Sequence, residues 1–133
     1  MIYAVIDTNV LVSAMITHDA DSPTAKVVRA IGQGMIVPLY NDKILREYKV
    51  VLSRDKFGLE KTKVARLLKA MKDKGIAAKQ VESGEVFPDA SDAVFYEVAV
   101  SVDGAYLVTG NMRHFPVKPI VVTPAQMVVI LGI

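Results

Sequence analysis

The chain has 133 residues, 52% of them hydrophobic and 23% charged, with a formal net charge of +2. This size and composition predict one compact domain over residues 1–133. The chain has no cysteine, which excludes disulfides, cysteine-ligated zinc, iron–sulfur clusters and thiol nucleophiles. No stretch approaches the roughly 20 apolar residues that cross a bilayer, and no basic leader precedes the first strand. We therefore expect a cytoplasmic protein without a membrane segment.

The first half of the chain alternates short apolar runs with capped, amphipathic stretches. These patterns predict, in chain order, a strand over Ile2–Ile6, a helix over 9–16, a helix over 23–31 that begins at Ser22-Pro23, a short strand over 35–37 closed by Pro38, and a helix capped by Asn41. The helix after Asn41 carries an apolar stripe with a helical period, made by Ile44, Leu45, Tyr48, Val51 and Leu52.

The second half continues this alternation after a break at Phe57-Gly58. It predicts a basic helix over 59–74 closed by Gly75, a weak strand over 77–81, a polar loop over 82–90, a helix over 92–102 capped by Ser91, strands over 106–109 and 120–122, and a short helix from Thr123-Pro124. Alternating strands and helices predict an α/β fold, a three-layer α/β/α sandwich on a mostly parallel sheet of about four or five strands. Right-handed crossovers would gather the loops that follow the strands at one edge of that sheet.

Polar side chains occur where this edge is expected. Asp7 ends the first strand, Asn111 follows the fourth, Asp92 starts an apolar helix one turn after Asp89, and Glu47 borders the apolar stripe of its helix. A carboxylate buried at the carboxyl edge of a parallel sheet is costly unless a cation or several donors neutralise it. These residues are therefore candidates for one site. The structural alternatives are helix capping for the aspartates, a flanking charge for the glutamate and a turn for the asparagine.

Charge is distributed unevenly along the chain. Residues 1–25 contain three acids and no lysine or arginine, whereas residues 54–74 contain eight bases against three acids. An acidic pocket beside a basic arm is expected of a protein that handles a metal and a polyanion together, although the basic arm alone is also typical of a solvated helix face. Further candidates for salt-dependent contact with a phosphate backbone are Lys43, Arg46, Lys49 and Arg113.

Three other side chains carry separate expectations. Thr109 could contact a metal or a phosphate through its hydroxyl, but its β preference offers the simpler alternative that it only ends a strand. His114 lies near the expected cleft, where phosphate contact and ordinary packing are both compatible with the sequence. Glu97 lies opposite the apolar side of its helix, so we expect it to face solvent.

The acidic and strand-end motifs together resemble the PIN-domain nucleases, in particular the stand-alone prokaryotic branch that includes the VapC-like toxins. The resemblance covers nearly the full chain in the family's motif order. It rests on Asp7-Thr8-Asn9-Val-Leu-Val-Ser-Ala, on Glu47, on Asp92 ahead of Phe95 and Ala99, and on Tyr106-Leu-Val-Thr-Gly110-Asn111.

The resemblance implies a metal-dependent endoribonuclease that hydrolyses RNA with Mg²⁺ or Mn²⁺ as its cofactor. Asp7, Glu47 and Asp92 would be the metal ligands, Asn9 would support the site, and Asn111 stands where many relatives have a fourth acid. Carboxylates without Cys or His match these hard cations better than zinc. The branch also implies a toxin with a small antitoxin as its partner. A homodimer formed by apolar segments 10–16 and 128–131 is a further expectation, although core packing explains those segments equally well.

Two other classes of protein compete with this interpretation. A phosphatase of the haloacid dehalogenase type needs a second aspartate where this chain has Asn9, and no glycine-rich phosphate loop is present. A catalytically weak PIN-fold subunit that binds RNA or protein is favoured by the neutral Asn111. The three retained acids argue against it.

Overall fold

Five strands and six helices alternate along residues 1–133, all of which are described by a computed structural model. The strands are β1 (Ile2–Ile6), β2 (Ile36–Tyr40), β3 (Ile76–Ala77), β4 (Tyr106–Val108) and β5 (Val121–Val122). The helices are α1 (Thr8–Ile16), α2 (Pro23–Gly32), α3 (Asp42–Leu52), α4 (Lys61–Lys74), α5 (Ala93–Val100) and α6 (Pro124–Leu131). Short 3-10 turns occur at Asp55–Phe57, Ala90–Asp92 and Met112–His114. None of the helices combines the length and the apolar run that crossing a membrane requires.

The strands form one parallel sheet in the order β3-β2-β1-β4-β5. The chain builds outward from β1 through β2 and β3, and then returns to the other side of β1 to add β4 and β5. With helices flanking this sheet, the predicted α/β sandwich is confirmed. The strand order reverses between β1 and β4, and ligands of open α/β sheets bind beyond the carboxyl ends of the strands at such a reversal.

A cluster of 26 buried apolar residues holds the helices against the sheet. Helix α5 contacts β1 and β4 and is apolar on most sides, so Phe95, Val98 and Ala99 are almost fully buried. Helix α3 buries Ile44 and Tyr48 from its predicted stripe. This packing fixes α3 and α5 against the strands whose ends meet at the reversal.

Three helix starts have the caps that the sequence predicts. Ser22 accepts a hydrogen bond from Ala25 N–H ahead of Pro23, and Asn41 accepts one from Ile44 N–H at 2.9 Å. Thr123 forms a reciprocal capping box with Gln126. Because each cap satisfies backbone N–H groups that the helix itself leaves unpaired, these boundaries are readable from local sequence.

Pro38 does not close the second strand, as the sequence suggested, but lies inside β2. Ile2 N–H donates to Met35 O, so the alternating backbone places the nitrogen of Pro38 on the side away from β1. On that side β3 pairs only with Leu39 and Tyr40. The missing N–H of proline therefore removes no bond from the ladder.

Other boundaries also differ from the prediction. The weak strand expected over 77–81 is the two-residue β3, because only Ile76 and Ala77 pair with β2. Ser91 does not cap the following helix; it lies within a 3-10 turn that Asp89 caps by accepting from the Ser91 N–H. The helix itself begins only at Ala93 and ends at Val100.

Gly75 allows the end of α4 to pack closely against β2. A Cβ at this position would lie 2.3 Å from Pro38 O and 2.4 Å from Met71 O, both of which are backbone atoms. Its φ of −101° is open to any residue, so the requirement for glycine is one of space.

Gly75→Ala is therefore expected to lower the free energy of unfolding by about 2 kcal/mol, the usual cost of overpacking. Gly32→Ala is the matched control, because a Cβ at Gly32 would meet nothing within 4 Å. Alanine's higher helix propensity should leave that variant unchanged or more stable, by up to about 1 kcal/mol. Urea unfolding measures the free energy of unfolding of both variants. If Gly75→Ala and Gly32→Ala were equally stable, the steric argument would be contradicted.

Candidate active site

The acidic side chains predicted from the sequence line one cleft at the carboxyl ends of β1 and β4. This acidic cleft, of about 450 Å³, is bordered by Asp7, Glu47, Asp89 and Asp92. It lies at the reversal of strand order, where the topology predicts ligand binding. The cleft therefore brings together residues that are far apart in the chain.

Asp7 lies deepest in the acidic cleft. Its N–H donates to Val108 O at 2.9 Å, which continues the pairing of β1 with β4, and the residue is only 7% exposed. The side chain does not cap α1; instead Oδ2 accepts a hydrogen bond from Thr109 Oγ1 at 2.7 Å. The alternative that Asp7 serves as a helix cap is therefore wrong.

Burial raises the pKa of Asp7 from 3.8 to about 6, because the ionised carboxylate has lost its water. The hydrogen bond from Thr109 opposes this shift, and the negative charges of Asp92 and Glu47 add to it. A cleft that holds four carboxylates, with Asp7 the most buried of them, thus favours a proton or a cation beside Asp7.

Thr109 connects the two central strands beneath the cleft. Its side chain is fully buried, donates to Asp7 and accepts from the Asn111 N–H at 2.9 Å. The hydroxyl is thereby engaged by the protein and is not directed at a phosphate. Beside it, Gly110 N–H donates to Asn9 Oδ1 at 3.3 Å, a second link between the loops after β1 and β4.

Glu47 is oriented by the residue that follows Asp7. Thr8, itself buried, donates from Oγ1 to Glu47 Oε2 at 2.6 Å. The neighbouring Tyr48 is fully buried, and its hydroxyl donates to Ile6 O at the end of β1. Burial, followed by the charges of Asp7 and Glu47, raises the pKa of Tyr48 well above its usual value, so the phenol remains a neutral donor.

Asp92 has an unsatisfied oxygen in the acidic cleft. Its side chain makes no capping bond with α5, and Oδ2 is buried without a hydrogen-bond partner. The Nδ1 atom of His114 lies 3.1 Å away but not in hydrogen-bond geometry. Burial raises the pKa of Asp92 and the charge of His114 opposes the shift. A buried carboxylate oxygen that no donor satisfies is well suited to a cation.

Asp89 and Asn111 lie at the outer rim of the cleft. Asp89 is exposed and accepts from the N–H and the hydroxyl of Ser91, and these bonds lower its pKa. Asn111 is exposed, and its Nδ2 lies 3.3 Å from His114 Nε2. The structure thus places Asp89 as the cap of a turn and leaves the Asn111 amide accessible at the rim.

The four basic residues predicted to contact phosphate are exposed, and none of them takes part in any of the three ion pairs. Lys43 lines a small hollow that shares Glu47 with the acidic cleft. Lys49 lies further along α3, and Arg46 and Arg113 line neither cavity. Arg54 is the cation that does line the acidic cleft.

Glu97 is only partly exposed and its carboxylate is bound by protein groups, whereas the sequence predicted a side chain that faces solvent. It accepts hydrogen bonds from Gln80 Nε2, from Ser83 N–H and from Ser83 Oγ, at 2.8–2.9 Å. These bonds lower its pKa. The prediction was wrong because the loop before α5 folds back over the helix face that carries Glu97, a contact that helical periodicity does not encode.

Two residues of the site received no specific role from the sequence. Thr8 stands directly after Asp7 in the first motif, and a polar residue at the start of an otherwise apolar helix was the available signal. Arg54 was counted only as part of the basic arm. Its position past the end of α3 gives no local sign that it returns to the cleft.

Comparison with known proteins identifies the class of fold and site. A family model described as PIN domain matches residues 3–113, and a comparison with curated proteins found no match. The chain therefore belongs to the PIN-domain family, whose members are generally metal-dependent nucleases. The match includes all four residues at the borders of the acidic cleft.

Asp7→Asn is expected to stabilise the metal-free protein. A carboxyl group whose pKa rises from 3.8 to about 6 on folding binds more protons in the folded chain than in the unfolded chain between these values. Its contribution to stability therefore falls as the pH rises through this window, and at neutral pH it costs up to about 3 kcal/mol. In EDTA, the variant should be more stable than wild type at pH 7 and equally stable near pH 3.5, as measured by urea unfolding.

Asp103→Asn, which removes an exposed aspartate, is the control and should show no such pH-dependent difference. If Asp7→Asn were less stable than wild type at both pH values, burial of the Asp7 charge would not be the source of strain in the cleft.

Proposed function

We propose that the protein is a metal-dependent endoribonuclease that hydrolyses RNA phosphodiester bonds at the acidic cleft. The observation that carries this proposal is the pairing of a buried Asp7, whose pKa is raised to about 6, with a buried Asp92 oxygen that has no hydrogen-bond partner. Membership of the PIN-domain family supports a nuclease in general. The choice of RNA as substrate rests on the resemblance to the stand-alone prokaryotic branch.

The donor set fits a hard divalent cation, Mg²⁺ or Mn²⁺. Asp7 and Asp92 offer carboxylate oxygens, Glu47 lies in the same cleft, and the chain has no cysteine that would favour a softer metal. No three acidic or histidine side chains form a complete metal-binding group. This agrees with Mg²⁺, which is commonly held by one or two carboxylates and keeps several waters. Glu47, held by Thr8, would then act through water.

The bound cation would lower the pKa of water and neutralise charge on the phosphate oxygens. The residues of the chain supply the positioning. Thr109 keeps Asp7 ionised and oriented, and Thr8 fixes Glu47 where it can accept a proton from an attacking water. The accessible amide of Asn111 would orient water or a phosphate oxygen at the rim.

Substrate binding would use the unpaired cations around the cleft. Lys43, Arg46, Lys49 and Arg113 would contact the phosphate backbone, with Arg54 reaching into the cleft itself. Each phosphate contact releases counterions, so binding should weaken steeply with salt.

We further propose that the protein is the toxin of a toxin–antitoxin pair and forms a homodimer. A small antitoxin would cover the acidic cleft, and exposed Ile16, Val129 and Ile130 would lie in the dimer interface. Val10 and Leu11 belong to the core of the chain itself, so the first apolar segment would contribute only its C-terminal end.

A second candidate function is a catalytically weak subunit that binds RNA or protein. It is favoured by the neutral Asn111 and by the lack of a complete group of three metal-binding side chains. The two candidates differ in turnover, which the next experiment measures.

Asp7→Ala and Asp92→Asn are each expected to reduce cleavage of an unstructured, fluorescently labelled RNA at least about 100-fold, because several kcal/mol of charge stabilisation depend on these ligands. Asp103→Asn should cleave at the wild-type rate, and EDTA should abolish cleavage until Mn²⁺ is added in excess. A DNA strand of the same sequence tests the preference for RNA. Wild-type turnover by Asp7→Ala would refute the assignment, and calorimetric metal binding without any turnover would favour the binding subunit.

Thr109→Val is expected to move the acidic limb of the activity profile to higher pH. The hydrogen bond from Thr109 lowers the pKa of Asp7, so its loss leaves more of the carboxyl protonated near pH 6, where only the ionised form can bind a cation. Cleavage should fall severalfold at pH 6 and approach the wild-type rate above pH 8, as measured by kcat/KM across this range. Thr62→Val, on exposed α4, is the control. A uniform loss at every pH would show that Thr109 acts only through packing.

A further inference from the structure

A second cavity adjoins the acidic cleft. It lies between the end of α3 and the first half of α4 and has a volume of about 520 Å³. Its apolar wall is formed by Leu52, Leu59, Val64 and Leu68. Lys49, Arg54 and Lys61 line it as well, against the single acid Asp55. These eight residues are joined in the lining by Ser53, Gly58 and Ala65, and we call the cavity the basic pocket.

The cations of the basic pocket have no partners within the protein. The three ion pairs of the structure involve Lys69, His114 and Lys118, and no side-chain hydrogen bond engages Lys49, Arg54 or Lys61. Surface cations are usually free, but here three of them lie beside an apolar wall in which Leu59 and Leu68 remain partly exposed. Such a site matches a ligand that is anionic at one end and apolar at the other.

Arg54 connects the two cavities, because it lines both the acidic cleft and the basic pocket. Val51 and Phe57, neighbours of the pocket residues in the chain, line the cleft on the same side. A strand bound with one phosphate in the acidic cleft would therefore meet the guanidinium of Arg54 next and the pocket beyond it.

We propose that the basic pocket receives one unpaired nucleotide of the RNA substrate, adjacent to the phosphate that is cleaved. The base lies against Leu59 and Leu68, which are partly exposed in the pocket, and Arg54 and Lys61 bind the flanking phosphates. This inference rests on the proposed ribonuclease function and adds to it a base-binding subsite. Proteins recognise single-stranded RNA by receiving unstacked bases on apolar or guanidinium surfaces while cations hold the backbone.

The position of the pocket favours a nucleotide over an acidic peptide. A peptide partner would need the cations and the apolar wall but no connection to the acidic cleft. RNA needs both cavities, since the reacting phosphate and its neighbours lie on one continuous strand. Discrimination among bases would then depend on the shape of the pocket.

Binding can be measured without any cleavage. Leucine methyl groups of the Asp7→Asn protein are followed by NMR during separate titrations with the four ribonucleoside 5′-monophosphates, with inorganic phosphate as the control. The proposal expects saturable shifts of the Leu59 and Leu68 methyl signals with at least one nucleotide and none with phosphate. Equal responses to nucleotides and phosphate would overturn it. Larger shifts with a synthetic peptide of alternating glutamate and leucine would also overturn it, in favour of a protein partner.

A filled pocket provides the matching test of activity. Ala65 is exposed and lines the basic pocket, so Ala65→Phe occupies it without disturbing the core. Thr62→Phe adds the same side chain to exposed α4 outside the pocket and is the control. We expect Ala65→Phe to raise the KM for a mixed-sequence, single-stranded RNA about tenfold, with Thr62→Phe unchanged. If wild type cleaves the RNA and the two variants have equal KM values, the subsite is refuted while the ribonuclease function stands. Absence of wild-type cleavage alongside saturable nucleotide shifts would instead refute the ribonuclease function and retain the pocket.

Discussion

The burial of one carboxylate, that of Asp7, is the constraint on which the rest of the site depends. The reversal of strand order leaves the end of β1 enclosed by β4, α3 and α5, so this side chain loses its water. Desolvation dominates the raised pKa, and a single hydroxyl from Thr109 offsets only part of it. An unbound cleft of this kind is strained because like charges and burial act in the same direction. The fold accepts this cost at the position where a cation would reverse it.

Several hydrogen bonds hold the cleft in shape, and each joins elements that are distant in the chain. Thr109 and Asp7 are separated by 102 residues, and Thr8 and Glu47 by 39. Tyr48 ties α3 to the last carbonyl group of β1, one residue before Asp7. Because the donors to Asp7 and Glu47 are uncharged hydroxyl groups, they orient these acids without neutralising them. Rigid support of this kind is what a site for a cation and a reacting phosphate requires.

The sequence predicted those features whose causes are local. Caps at Ser22, Asn41 and Thr123 and the stripe of α3 satisfy or bury groups within a few residues, so they identified the helices and the parallel fold. The errors have a different, non-local cause. The place of Pro38 inside β2 depends on how the neighbouring strand β3 pairs, and the contacts of Glu97 depend on a loop that folds back over its helix. The acids of the cleft were predicted together because strand ends converge in parallel sheets. Their hydrogen-bond partners were not, because register and side-chain direction are decided by tertiary packing.

The arrangement of charge follows from these constraints. Net charge is only +2, yet four carboxylates lie in the acidic cleft and unpaired cations lie beside it. Carboxylates and phosphodiesters repel, so the cleft alone would exclude a nucleic acid. In the proposed ribonuclease, screening over roughly 8 Å at physiological ionic strength would let Arg54 and its neighbours attract a strand while its reacting phosphate meets the acids. RNA could then approach only after a cation had neutralised the carboxylates of the cleft. The order of these two binding events would therefore become part of substrate selection.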